Sequence, residues 1–365
     1  MKLGIVGLPN SGKSTLYSAI MQIEAETSAH LFSTTTPNVG RALVPDERLD
    51  VLNKMYNAKV VTPATVEMVD IAGLMKGASK GEGMGNQFLS HIREVDALVH
   101  VVRCFEDDNV AHVYDTVDPV RDLEAVNLEL IFADMEMLER RIPKVQKTAR
   151  TDKSYQREAD ILVKIQQTLE EGQPARSLTW DDAEDLKLVE SLTLITQKPM
   201  MYAANVSEDE IGKDPQPGSP LAKLAEFAQA ENSPIFIICA KLEAEIATLE
   251  PDDKEIFLTE LGIEQTGLNR LIAAGYEMLG LISFLTAGPK EVRAWTVRKN
   301  SKAPQAAGKI HSDLERGFIR AEVVAFNDLA ASESYNAAKE KGQVRVEGKE
   351  YIVQDGDVLL IRFNV

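Results

Sequence analysis

The sequence predicts an α/β protein built on a doubly wound, mostly parallel sheet, with an α-helical coiled-coil insertion and a small β-rich region towards the C-terminal end. Three features carry that prediction. Short aliphatic runs alternate with helically spaced segments over the first third of the chain. A long stretch rich in Glu, Lys, Arg, Gln and Leu then interrupts them, and short alternating runs close the sequence.

Taken in order, Leu3 to Val6, Val66 to Ile71 and Ala97 to Val102 read as strands covered on both faces, as in a parallel sheet. From about Asp122 to Ile195 that pattern gives way to helical spacing. In the first of these helices Val126, Leu128, Leu130, Ile131, Met135 and Leu138 form an apolar stripe, which Pro143 is expected to kink or end. A turn at Gly172 to Pro174 suggests an antiparallel helical hairpin. Strands resume at Pro199 to Asn205 and Pro234 to Ala240, separated by the helix Pro220 to Ala230, and complete the interrupted sheet. Beyond Gly280 the runs Val292 to Val297, Glu322 to Ala325, Lys349 to Val353 and Asp357 to Phe363 predict a separate β-rich region. The expected domains are therefore 1–121 with 196–280, then 122–195, then 281–365.

Composition narrows the setting. With 44% hydrophobic and 27% charged residues the chain is a folding sequence and not a disordered one. Its two cysteines, Cys104 and Cys239, each lie in an apolar run, which argues against a disulfide framework or zinc site and for a reducing, cytoplasmic compartment. The apolar start is too short for a signal peptide, and no run approaches the ~18 residues of a membrane span. A net charge of −17 disfavours non-specific coating of nucleic acid, DNA included, while leaving room for a local basic patch.

The strongest local signal is Gly7-Leu8-Pro9-Asn10-Ser11-Gly12-Lys13-Ser14-Thr15, which fits G-x-x-x-x-G-K-[ST] between a strand and a helix. Such a loop curls its N–H groups, from Asn10 through Thr15, around phosphates at a helix N-terminus. Lys13 adds a point charge there, and Ser14 is left to hold Mg2+. Asp70-Ile71-Ala72-Gly73 then supplies D-x-x-G, an acid for the magnesium shell and a glycine N–H for the γ-phosphate. Between them, in Phe32-Ser33-Thr34-Thr35-Thr36, Thr34 is the hydroxyl expected to close over the metal.

Two positions depart from a GTPase. The glutamine that orients water after D-x-x-G is replaced by Leu74, which forms no hydrogen bond, so intrinsic hydrolysis should be slow. In the place of the guanine-reading N-K-x-D stands Asn205-Val206-Ser207-Glu208, where the carboxylate sits on a longer side chain. Asn205 is expected to read adenine N6 and N7, with Val206 covering the ring. Cys239-Ala240, after the next strand, is either the rest of the base pocket or merely a strand end.

Together these residues resemble the YchF subfamily of Obg-like ATPases. The resemblance runs through Gly7 to Asn10, Asp70 to Asn86, Arg103 to Asn109, Asn205 to Glu208 and Ala303 to His311, over essentially the whole chain. It implies an Obg-type nucleotide domain, a coiled-coil insertion and a C-terminal TGS domain. It further implies ATP hydrolysis, association with ribosomes, and links to translation control and stress responses. Asn10 resembles a phosphate-loop asparagine that binds K+ in glutamine-less relatives. His112 matches a loop histidine proposed to replace the missing glutamine, and Ser11 stands where relatives commonly carry valine.

A ribosomal partner has a candidate surface. The insertion carries Arg140, Arg141, Lys144, Lys147, Arg150, Lys153, Arg157 and Lys164, a row suited to ribosomal RNA or simply to solvent. The favoured reading is a slow ATPase switch at the ribosome. A GTP-hydrolysing assembly factor and a nucleotide-bound scaffold with incidental hydrolysis are the alternatives.

Overall fold

The computed structural model describes residues 1–27, 39–71 and 84–364. In chain order the first elements are β1 (Lys2–Val6), α1 (Lys13–Thr27), β2 (Val39–Leu43), α2 (Arg48–Tyr56), β3 (Val60–Thr62), β4 (Thr65–Asp70), α3 (Met84–Glu94) and β5 (Ala97–Arg103). Three helices follow, α4 (Pro119–Ala149), α5 (Gln156–Glu170) and α6 (Ala183–Ser191). The sheet resumes with β6 (Met200–Asn205), α7 (Pro220–Ala230) and β7 (Ile235–Ile238), then α8 (Ala240–Ile246), α9 (Pro251–Glu260) and α10 (Gly267–Met278). The last stretch holds β8 (Leu281–Ala287), β9 (Glu291–Arg298), α11 (Ala303–Ile310), α12 (Ser312–Arg316) and β10 (Phe318–Ala325). It ends with α13 (Phe326–Ser332), α14 (Tyr335–Glu340), β11 (Arg345–Glu347) and β12 (Asp357–Phe363).

These elements divide into two compact units, Met1–Arg41 with Glu67–Leu271, and Ala42–Val66 with Ile272–Val365. The first is the α/β unit, a sheet of order β2-β4-β1-β5-β6-β7. Strands β4, β1, β5, β6 and β7 pair in parallel. Every residue of β5 and β6 is buried, which is why both read as nearly unbroken apolar runs. Register pairs Ile5 with Asp70, Val6 with His100 and Arg103 with Asn205, so the carboxyl ends of these strands lie side by side. Open parallel sheets bind ligands at that edge.

The helical segment is tied into this unit by α4. Asp118 caps it by accepting from the Arg121 N–H at 3.2 Å, and Pro119 opens the first turn, where a missing N–H costs nothing. Leu123, Val126, Leu130 and Ala133 pack into the sheet core. Farther along, Leu138, Ile142 and Val145 join a second core with Ile161, Leu162 and Ile165 of α5 and Val189 of α6. Of the two outcomes expected at Pro143, a kink or an end, the end does not occur: α4 runs on to Ala149. Its ring lies on the exposed side while its neighbours Ile142 and Val145 are buried. Packing on both sides of the proline therefore holds the turn against the lost hydrogen bond. The chain reverses at Arg150–Tyr155, where Asp152 accepts from Ser154 N at 2.9 Å. The turn at Gly172 (φ 77°) exists, but it comes after α5 and is not the hairpin bend.

Asp134 closes the base of the segment. Fully buried on α4, it accepts from Ile195 N at 3.1 Å and from Thr196 N and Oγ1 at 2.7 Å each. Burial pushes this carboxyl upwards, against the three bonds that favour its charge.

The second unit is a six-stranded sheet of order β11-β10-β12-β8-β9-β3. Hairpin β8–β9 and the β10–β12 pair are antiparallel, and β12 meets β8 in parallel at Val358 and Leu285. Residues 42–66, expected within the nucleotide-binding domain, belong to this unit: β3 pairs β9, and Arg48 bonds both Asp46 and Asp355 at 2.7 Å. The region is also less purely β than the sequence suggests, because α11 to α14 interleave the strands. Lys349 to Val353 is not a strand. Its only pairing among the described residues is the bridge of Ile352 to Lys302, since Tyr351 O and Val353 N bond the Ser301–Ala303 corner.

Candidate active site

The phosphate loop leaves β1 at the carboxyl edge of the sheet. Two of its glycines are required by contact. A Cβ on Gly7 (φ 150°) would lie 2.4 Å from the Val101 carbonyl oxygen, and one on Gly12 (φ 96°) would lie 2.2 Å from Asn205 Nδ2. Asn10 takes a left-handed conformation (φ 62°) tolerated by asparagine, and its Nδ2 donates to Ala111 O at 3.0 Å. Lys13 opens α1 and folds back, its Nζ donating to Leu8 O at 2.9 Å. Burial lowers the pKa of this ammonium, opposed by nearby Asp70. Ser14 and Thr15 are exposed in the first helical turn.

Asp70 ends β4 beside this loop. Burial raises its carboxyl, Lys13 draws it down, and Oδ1 is buried with no hydrogen-bond partner among the described residues. A buried orphan carboxylate oxygen close enough to Lys13 to feel its charge, on the strand beside the loop that carries Ser14, fits a divalent cation with its waters, since such oxygens ordinarily find donors. Ser11 is different. Its Oγ is also buried and unpartnered, but it is packed close to Gly7, and its backbone faces the base side.

On the base side three segments join the phosphate loop around a cavity of about 630 Å³, lined among others by Gly12, Thr15, Phe105, Val206, Glu208 and Lys241. Asn10, Asn205, Cys239 and Ala240 also reach it. Asn205 lies at the end of β6, buried. Its Nδ2 donates to Ser11 O and its Oδ1 accepts from Ala240 N, both at 2.9 Å. The expectation that its carboxamide reads adenine meets a side chain whose two ends already join the phosphate loop to the start of α8. Its geometry is that of a strut under the pocket. Glu208 is turned to Lys241, with Oε1 2.7 Å from Nζ, on a short turn that Ser207 and Glu210 cap reciprocally.

The third segment, Phe105 to Val110, was not foreseen as a wall. Arg103, at the end of an otherwise largely apolar strand, was the signal for it, because a buried guanidinium requires partners. Nε, Nη1 and Nη2 donate to the carbonyls of Phe105 (3.0 Å), Val110 (2.9 Å) and Asp107 (3.2 Å).

His112 follows directly on this segment and does not line the cavity. Its Nε2 lies 2.8 Å from Asp122 Oδ2, and its Nδ1 accepts from Tyr114 N at 3.1 Å. These contacts place the ring proton on Nε2 and leave neither nitrogen free. Thr34, Gly73 and Leu74 lie outside the described residues.

On the helical segment, the row of cations is thinner than the sequence suggests. Arg140 pairs with Glu136, Arg141 with Glu158 at 2.7 Å, and Arg157 with Asp182, Glu184 and Asp185. Lys164 lies 4.5 Å over the Trp180 ring. Lys144, Lys147, Arg150 and Lys153 form no ion pair among the described residues.

Residues 2–140 match the family model described as 50S ribosome-binding GTPase, and residues 281–364 match YchF-GTPase_C, described as a protein of unknown function. The chain is 55% identical over 363 residues to the ribosome-binding ATPase YchF of Bacillus subtilis, covering 99% of each. It is 49% identical over 365 residues to that of Haemophilus ducreyi, covering 100% of this chain and 99% of the relative. The solved YchF GTPase of Schizosaccharomyces pombe superposes with a TM-score of 0.89 at 36% identity, over 99% of this chain and 97% of that one.

Proposed function

That the chain belongs to the YchF family is the premise from which we propose its activity: a nucleotide hydrolase that binds ATP in preference to GTP and acts at the ribosome as a switch in translation and stress response. The observation that carries the base preference is the Glu208–Lys241 pair at 2.7 Å. Guanine is read by a short carboxylate facing its N1–H and 2-amino group, whereas the acid here is longer and engaged by a lysine. A site that fails to pair a base's donors discriminates against that base strongly.

Catalysis assigns each group a task. On nucleotide binding Lys13 leaves the Leu8 carbonyl and turns to the terminal phosphates, exchanging a neutral acceptor for an anionic one. The loop N–H groups from Asn10 to Thr15 cradle the same oxygens. Ser14 and Asp70, with Thr34, would hold Mg2+, which when bound neutralises charge on the β- and γ-phosphates. Gly73 offers its N–H to the γ-phosphate, and Asn10 retains a carbonyl oxygen suited to K+. His112 orients the attacking water in place of the absent glutamine, which requires it to leave Asp122. This requirement predicts slow turnover by the isolated protein. Lys144, Lys147, Arg150 and Lys153, uncommitted to acids of their own segment, are the cations offered to ribosomal RNA.

Calorimetric titration with ATP and GTP, in potassium and in sodium, tests the reading. Tighter binding of ATP is expected, with turnover higher in potassium. Firmer binding of GTP would overturn the base assignment and leave the phosphate loop untouched.

A further inference from the structure

Arg103 is a cation buried to 3% exposure whose three nitrogens are all spent on main-chain carbonyls of the next few residues. Its guanidinium carbon also lies 4.6 Å from the centre of the Phe105 ring. Phe105 to Val110 contains neither helix nor strand, and among the described residues its main chain bonds within the segment only at one turn, where Val110 N donates to Asp107 O at 3.1 Å and Asn109 N to Asp107 Oδ1 at 2.9 Å. The segment therefore folds around the guanidinium. Only a planar fork with donors in three directions satisfies carbonyls so placed; a lysine is a single point.

The consequences reach both parts of the cleft. Phe105, Glu106, Asp107 and Val110 face the cavity, and the next residue, Ala111, accepts the Asn10 amide of the phosphate loop. We infer that Arg103 is a positioning residue for nucleotide binding: it shapes the outer wall of the base cleft and, through Ala111 and Asn10, sets that wall in register with the phosphate loop. The inference rests on the reading of the cleft as an ATP site. Arg103 acts through the wall it holds, so its loss should be felt by a ligand that carries a base and not by a bare polyphosphate.

The full chain and the variants Arg103→Lys and Phe105→Ala are titrated with ATP, GTP and inorganic tripolyphosphate in the presence of magnesium. Removing charge-assisted bonds from the wall should weaken ATP by about tenfold in Arg103→Lys and shrink its margin over GTP, while tripolyphosphate changes by less than about twofold. Phe105→Ala removes the ring over the guanidinium but keeps the three bonds to main-chain carbonyls, so it tests the wall with those bonds in place, and it should show the same split. ATP affinity unchanged in either variant, or ATP and tripolyphosphate weakened equally, would overturn the inference. If the unsubstituted protein binds ATP no better than tripolyphosphate, the cleft itself has been misread, a result visible before any variant is compared.

Discussion

The phosphate half of the cleft is a single run, Gly7 to Thr15, whereas the base half is gathered from remote segments. Asn205 reaches Ser11 across 194 residues, and Asn10 reaches Ala111 across 101. The first half is rigid because its glycines abut neighbouring backbone and the Asn205 amide, leaving no room for a Cβ. The second depends on side chains used as struts, with Asn205 below and Arg103 at the wall. A contiguous loop can be disabled by one residue with little effect on folding; a strutted pocket loses shape and stability together.

The sharpest way to separate the halves is Lys13→Ala. Removing a group aimed at developing charge should cut phosphate release by about 10³-fold, yet the melting temperature should not fall, because a desolvated ammonium is removed with it. A large drop in melting temperature would mean that the phosphate half is not independent of the fold. Asn205→Ala attacks the junction. It leaves the Ser11 carbonyl and the Ala240 N–H unpaired in a buried place, costing about 3 kcal/mol in urea denaturation together with weaker ATP binding. If affinity falls with stability untouched, Asn205 is a base reader after all.

The third test comes from the strand beneath. Burial, aided by Lys13 and Arg176, pushes His100 down from its ordinary 6.5 to about 3. Because the unfolded chain takes up this proton first, stability is complete above about pH 6.5. It then drains by about 1.4 kcal/mol per pH unit as acidity rises towards the folded value. His100→Phe should flatten that slope in denaturation series between pH 7.5 and 5; an unaltered slope would rule out His100 as its source. The smallest effect is expected at Ser11→Ala, where removing an unpartnered buried hydroxyl should stabilise the protein by about 1 kcal/mol with nucleotide affinity nearly constant. Calorimetric melting with and without ATP measures both.

The same division explains what could be read from the sequence. The order of strands and the phosphate loop are local patterns, and β1, β4, β5, β6 and the helix Pro220–Ala230 appear close to where periodicity puts them. Asp70 is recognisable because it ends a strand and begins the D-x-x-G motif, although that strand alternates buried and half-exposed residues and is not covered on both faces as expected. The strut role of Asn205 and the wall at Phe105 to Val110 depend on partners distant in sequence or on a buried charge folding a loop, which no spacing reveals. Residues 42–66 joined the C-terminal sheet through pairing with β9, again a remote contact. At Pro143 the helix end that a strong local rule allows does not occur, because packing on either side of the proline overrides it.

Helix α4 serves two cores at once, and this determines where the protein can be trimmed. Excising everything from residue 122 to 195 would strip Leu123, Val126, Leu130 and Ala133 off the sheet and uncover oily surface there. The natural seam lies higher, at the clasp where Asp134 grips Thr196 at 2.7 Å. Entry and exit of the chain are already stitched together at that point, so a short turn spliced in above it should yield a minimal nucleotide-binding body.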